Sequence, residues 1–274
     1  MHASRVRRQS WLTFCLYLVA ASAFAQAQPA TQPFEPQVGQ AGKDVVWVPT
    51  ADSLVQEMLN LANVTPQDLV MDLGSGDGRT VIAAAKRGAT AIGVEFNPDM
   101  VALSRKNAAA QGMAARATFI EGDLFKADLT KATVITMFLL PDINLKLRPH
   151  LLDLRPGTRI VSNTFTMGDW EPDARYRVEG AACTSWCEAL FWVIPARVGG
   201  TWKMAQDDLV LEQAFQHVNG TLGAQPIAEG TLRGTEITFT VGASQYRGRV
   251  NGNTIQGTVA SRARTSNWSA TRVG

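Results

Sequence analysis

The stretch Asp72-Leu73-Gly74-Ser75-Gly76-Asp77-Gly78 places three glycines at alternate positions directly after an apolar run. Glycine lets the backbone turn tightly and admits a ligand where a Cβ would stand in the way. Arg79 follows Gly78, so the spacing is G-x-G-x-G rather than the dinucleotide fingerprint G-x-G-x-x-G, and no Gly-Lys-Ser/Thr follows to make a phosphate-binding P-loop. Two more carboxylates, Glu95 and Asp123, close the next two strand-like runs. At the end of a second parallel strand a carboxylate can accept two hydrogen bonds from a ribose diol, as in dinucleotide-binding folds. Three acids at the carboxyl ends of three consecutive strands point to a nucleoside-binding crevice.

The elements that must position these residues can be read from the periodicity. Residues 53–62 carry apolar residues at helical spacing, and Leu69 to Leu73 is a short buried-strand run. Helical stretches at 80–87 and 98–111 alternate with strands at 91–94, 117–120 and 132–140. A helix over 142–152, interrupted or kinked near Pro149, precedes a strand at 159–163, and segments 176–180 and 188–194 read as a closing antiparallel hairpin. Such alternation predicts an α/β fold, a parallel sheet with helices on both faces. After Pro195 the pattern changes to Gly, Thr and alternating apolar residues. Residues 230–241 align with 248–259 at an offset of 18, each unit reading strand, glycine turn, strand. The expectation for 198–274 is an antiparallel β-meander or small barrel, with Trp202 and Trp268 meeting to close it.

On Asp72 to Gly78, Glu95 and Asp123 the chain resembles the class I S-adenosylmethionine-dependent methyltransferases, over roughly residues 44–196. The resemblance implies a Rossmann-like seven-stranded sheet and S-adenosyl-L-methionine as cofactor. It implies that Gly74, Ser75, Gly76 and Gly78 line the methionine and ribose moieties, with Asp72 supporting the loop. Glu95 would take the ribose hydroxyls, Phe96 would pack on the adenine, and Asp123 with the Leu124 amide would read its edge. Val48-Pro49-Thr50, Leu139-Leu140-Pro141 followed by Asn144-Leu145-Lys146-Leu147, and Asp169-Trp170-Glu171-Pro172 look like the bacterial relatives of mitochondrial protein-lysine methyltransferases. Those mitochondrial enzymes act on the c-ring protein of ATP synthase and on the adenine nucleotide translocase, so the acceptor implied is a protein lysine.

Methyl transfer from a sulfonium is an in-line displacement, in which positioning and exclusion of water carry much of the rate. Amino-adenine and glutamine methyltransferases place Asn/Asp-Pro-Pro-aromatic where this chain has Phe138-Leu139-Leu140-Pro141, which argues against an exocyclic amine or amide acceptor. Leu140, Pro141, Asn163 and Trp170 are the acceptor-site candidates, with Asp142, Asn144 and Asp169 as further polar groups near that edge. No residue declares itself a catalytic base. His150 and His217 lack ligand spacing, so no metal site is expected.

The chain has 274 residues, 46% hydrophobic and 18% charged, with a formal net charge of +2. Arg5, Arg7 and Arg8 are the only Lys or Arg residues before Lys43, and no acid precedes Glu35; without those three arginines the balance falls to −1. Near-neutrality gives no case for a nucleic-acid partner and leaves a protein or small-molecule acceptor. The three arginines, the apolar run from Trp11 to Ala21 and the small residues after it have the layout of a signal peptide over residues 1–25. The chain is thus expected to be exported, periplasmic in a bacterium, with an uncleaved anchor as the other form and no stable span once the segment is removed. Residues 26–43, rich in Pro and Gln, read as a linker. Cys183 and Cys187, the cysteines left after cleavage, read first as a disulfide in an exported chain. Export also motivates a second reading, a binding or envelope-interaction protein that keeps the fold with little turnover. Nothing in the sequence sets an oligomeric state.

Overall fold

A computed structural model describes residues 34–262 and 264–273, together with Met1 and His2. The signal peptide expected over residues 1–25 and the linker up to residue 33 therefore lie outside the described residues, apart from those first two.

The apolar run Leu69–Leu73 forms β1 and its neighbour Thr90–Glu95 forms β2, with α1 (Asp52–Leu61) before them and α2 (Arg79–Lys86) between. Helix α3 (Pro98–Ala110) starts with Pro98, and the Asn97 side chain accepts from the Asp99 and Met100 amides at its N-terminus. Strands β3 (Ala117–Glu121) and β4 (Val134–Met137) follow, then α4 (Pro141–Leu152), β5 (Arg159–Asn163), β6 (Ala174–Arg177) and β7 (Glu188–Val193). The seven strands are ordered β3-β2-β1-β4-β5-β7-β6; the first five are parallel and β7 runs antiparallel to both neighbours. The predicted closing hairpin is β6–β7.

Side chains alternate across the sheet, as a strand requires. Val70, Ala91, Val134 and Val161 face α1, α2 and α3 in one apolar cluster. Met71, Leu73, Ile135, Met137 and Ile160 face Ile143, Leu147 and Leu151 of α4 in the other. Helix α4 continues through Pro149 to Leu152, so the segment is not interrupted there. Strand order reverses at β1, which lies between β2 and β4, and open α/β sheets bind ligands in the crevice at such a point. Register pairs Leu73 with Val94 on one side and with Met137 on the other. The loops after β1, β2 and β4 therefore leave the sheet side by side.

Residues beyond Val193 form β8 (Gly200–Lys203), β9 (Asp208–Ala214), β10 (His217–Leu222), β11 (Gln225–Arg233), β12 (Glu236–Val241), β13 (Ser244–Asn251), β14 (Thr254–Ser261) and β15 (Arg264–Arg272). They close into an eight-stranded antiparallel barrel. The internal repeat corresponds to the hairpins β11–β12 and β13–β14. Closure comes from backbone pairing of β8 with β15, where Trp202 lies opposite Arg272. The two tryptophans take different partners: Arg272 lies over the Trp202 ring, and Trp268 packs edge-on against Phe239 and Tyr246. Gly248 makes room for Trp268, since a Cβ there would fall 2.8 Å from its ring.

The barrel is tied to the sheet. The Ala196 amide donates to Gly234 O at 2.7 Å, Gln216 Nε2 donates to Glu171 O at 2.8 Å, and Phe215 stacks on Trp170 at 5.8 Å. Residues 34–274 form one compact unit.

Candidate active site

Gly74, Gly76 and Gly78 all have positive φ, at +75°, +53° and +83°, a region that L side chains rarely adopt. The turn is held to β2: the Gly74 and Ser75 amides donate to Val94 O, and the Gly76 amide donates to Glu95 Oε2 at 2.9 Å. Glu95 Oε1 accepts from the Asn97 amide at 2.9 Å. Each carboxylate oxygen retains a second lone pair for a diol. Helix α3 supports the turn from behind, with Ser104 Oγ donating to Gly76 O and Asn107 Nδ2 donating to Asp77 O. Neither support is visible in the sequence, because a Ser and an Asn within a helix carry no local signal.

Asp72 is buried beneath the turn, and Thr136 Oγ1 donates to its Oδ1 at 2.6 Å. Burial pushes its carboxyl up to about 7; the Thr136 hydrogen bond opposes this, and the charges of Asp77 and Glu95 add to it. Asp123 behaves in the opposite way. The Phe125 amide and Lys43 hold its carboxyl below the usual range. Lys43 Nζ stands 3.2 Å from Asp123 Oδ2 and 5.4 Å from the centre of the half-exposed Phe96 ring.

Lys43 belongs to a strap whose first residues were expected to be linker. Residues 40–50 cover the crevice, with the Trp47 amide donating to Gln40 O and the Gly39 amide donating to Trp47 O. The Trp47 indole lies against the turn: a Cβ on Gly76 would be 2.6 Å from its Nε1. Arg79 anchors the strap by donating to Thr50 O at 2.9 Å while paired with Asp77. Together these elements enclose about 230 Å³, lined at this end by Gly74, Ser75, Gly76, Glu95, Phe96, Asp123 and Leu124. Gly78 and the Asp77–Arg79 pair complete the turn. The Ser75 hydroxyl is buried without a hydrogen-bond partner. A glycine cradle, a carboxylate with free lone pairs and an exposed aromatic face at one crevice fit S-adenosylmethionine.

The other end of the same cavity differs from expectation. Leu140 lines it, but Pro141 opens α4 outside the lining. Asn163 is fully buried, donating to Thr50 Oγ1 and accepting from Thr164 Oγ1, and does not line the cavity. Trp170 does not line the channel either. It is buried between Trp192 and Phe215, because the barrel covers the sheet edge where it lies. Asn144 donates to Phe165 O and Thr166 O, and Asp169 pairs with Arg148. The cavity wall is instead made by Phe138, Phe165 and Trp186. Trp186 sits in the loop between β6 and β7, where Cys183 and Cys187 are joined as a disulfide. Among the described residues no group of three or more His, Cys, Asp or Glu could hold a metal ion. Nor is any described helix long and apolar enough to cross a membrane.

The strand order, the glycine turn at the switch point and the acids at the carboxyl ends of β1, β2 and β3 define a class I S-adenosylmethionine-dependent methyltransferase. Residues 72–174 match the ANTKMT methyltransferase domain. A protein-lysine N-methyltransferase of Saccharolobus islandicus (strain REY15A) is 42% identical over 138 residues, 49% of this chain and 86% of that protein. The adenine nucleotide translocase lysine N-methyltransferase of Mus musculus is 36% identical over 132 residues, 47% of this chain and 57% of that protein. The crystal structure of an RNA methyltransferase from Salinibacter ruber in complex with S-adenosyl-L-homocysteine is 46% identical, with a TM-score of 0.52, covering 55% of this chain and 96% of that one. The chain belongs to this methyltransferase family, which includes the archaeal protein-lysine N-methyltransferase, and its cofactor is S-adenosylmethionine. A fold kept for binding alone is not favoured.

Proposed function

We propose that the protein methylates the side-chain amine of a protein lysine, and that it does so outside the cytoplasm. The observation that carries the acceptor class is the apolar and aromatic wall of Phe138, Leu140, Phe165 and Trp186 at the end of the cavity away from Phe96 and Asp123. The names of the archaeal and mouse relatives support the same class. When bound, S-adenosylmethionine supplies a methyl group on a sulfonium, open to in-line attack. The chain's own residues bind and orient: the glycine turn and Glu95 hold one end, and Phe138 and Leu140 exclude water at the other. The lysine must give up its ammonium proton to solvent before attack, since only the neutral amine carries the lone pair that displaces the sulfonium. Export is supported by the pattern of residues 1–25 and by a disulfide of the kind that oxidising compartments maintain.

The test is incubation of the protein with methyl-labelled cofactor and separated envelope, cytosolic and RNA fractions of the source cell, with Gly76→Val as the blank. Label on an envelope protein is the expected result. Label confined to RNA, or no label above the blank, overturns the acceptor. Fractionation with sequencing of the mature N-terminus tests the location; a cytosolic protein that retains residue 1 overturns it.

A further inference from the structure

We infer that Trp186, carried on the loop closed by the Cys183–Cys187 disulfide, is the acceptor-binding wall of the site, and that with Phe138 and Phe165 it encloses an alkylammonium side chain. The inference rests on the lysine reading for its substrate and on geometry for its place. The Phe138 ring lies 5.9 Å from Phe165, stacked, and 6.0 Å from Trp186, tilted. All three line one continuous cavity with Gly74 and Asp72. Trp186 is 45% exposed, so packing within the chain does not use up its surface.

The backbone that delivers these rings is strained at two points. Thr164, directly before Phe165, has φ +60°, and Trp186 has φ +52°. Left-handed backbone costs an L residue about 1–2 kcal/mol, and a β-branched residue adopts it least readily. Such strain persists only where the surroundings impose it. Here they do. Phe165 O accepts from Ser162 Oγ at 2.8 Å and from Asn144 Nδ2 at 3.2 Å. The Trp186 loop is closed by the disulfide, and Ser53 Oγ of α1 donates to Ala182 O at 2.9 Å. Three rings from separate loops, two of them presented by strained backbone, fit a four-carbon stem by burial and a cationic head by the negative faces of the rings.

The experiment compares the full-length chain with Trp186→Ala, Trp186→Phe and the double variant Cys183→Ser/Cys187→Ser. Calorimetry with S-adenosylmethionine checks folding and the cofactor end; steady-state transfer to a single-lysine peptide reads the acceptor end. Expected for Trp186→Ala is an acceptor KM raised at least tenfold, with cofactor Kd within twofold of wild type. Trp186→Phe should return KM to within threefold, and the double serine variant should raise KM at least threefold with cofactor Kd unchanged. A Trp186→Ala KM within twofold of wild type overturns the inference, as does a cofactor Kd that changes in step with KM.

A second arm needs no turnover: n-butyltrimethylammonium titrated against the protein, followed by NMR at the Trp186 indole N–H, identified by its loss in Trp186→Phe. A saturable shift supports the enclosure and an unmoved resonance overturns it. Absence of label on any protein removes the lysine reading, whereas an unmoved resonance in an enzyme that does label protein removes only the aromatic enclosure.

Discussion

Along β1 and β2 the crevice is built from backbone: three glycines with positive φ, amides donating to Val94 O and Glu95, and α3 side chains bonded to the turn's carbonyls. Along β4, β5 and β7 it is built from rings, Phe138, Phe165 and Trp186, each from a different loop. The first half needs a short contiguous motif, because hydrogen bonds to main chain have strict geometry and little choice of residue. The second needs only apolar surface of the right shape, which many residue combinations provide.

The comparison can be broken at the backbone end first. Gly76→Val should abolish measurable cofactor binding in calorimetry, because a Cβ would lie 2.6 Å from Trp47 Nε1 on a backbone at φ +53°. Retained binding would mean that the strap and the turn adapt independently.

Asp72→Asn addresses the buried acid that both halves share through Thr136. The folded state raises the Asp72 pKa from its ordinary 3.8 to about 7 and so binds a proton that the unfolded chain has released. The stabilisation from that retained proton is complete below pH 4 and is lost as pH rises towards 7. Asparagine keeps an oxygen for the Thr136 hydroxyl and carries no charge. The stability difference in favour of Asn should therefore grow between pH 4 and pH 7, by up to about 4 kcal/mol, the equivalent of three pKa units. Parallel urea titrations across that range check it, and a difference independent of pH contradicts it.

Lys43→Ala should have the smallest effect. The Lys43–Asp123 pair is solvent-facing, and such pairs are screened and contribute little. Cofactor Kd should change less than about fivefold, and the change should shrink in high salt. A larger change would mean that the strap, and not the sheet, organises the adenine end.

What was legible in the sequence follows the same division. The turn, Glu95 and Asp123 were readable because each lies at or within two residues of the end of a strand whose apolar run is visible, and parallel pairing brings strand ends together. Four barrel strands followed from the 18-residue repeat. Closure between the segments of Trp202 and Trp268 was legible too, but it comes from backbone pairing of β8 with β15 while each ring takes other partners. For Trp170 the sequence admits either the channel or a packed position, and Trp192 with Phe215, remote in the chain, decides for packing. Phe165 and Trp186 escaped notice because they lie in loops without periodicity, aimed by a left-handed backbone that composition does not signal. The strap was partly assigned to a linker for a related reason: Gln40 and Lys43 bury no core, and they cover the crevice through a main-chain hydrogen bond and an ion pair.

The most direct measurement of the central claim is the chemical form of the transferred methyl group. Protein labelled from S-adenosylmethionine by the wild-type enzyme, hydrolysed in acid and separated as amino acids, should carry its label as Nε-methylated lysine, with none in a Gly76→Val control. Label recovered as a methylated nucleoside, a volatile ester product or another amino acid would contradict the account.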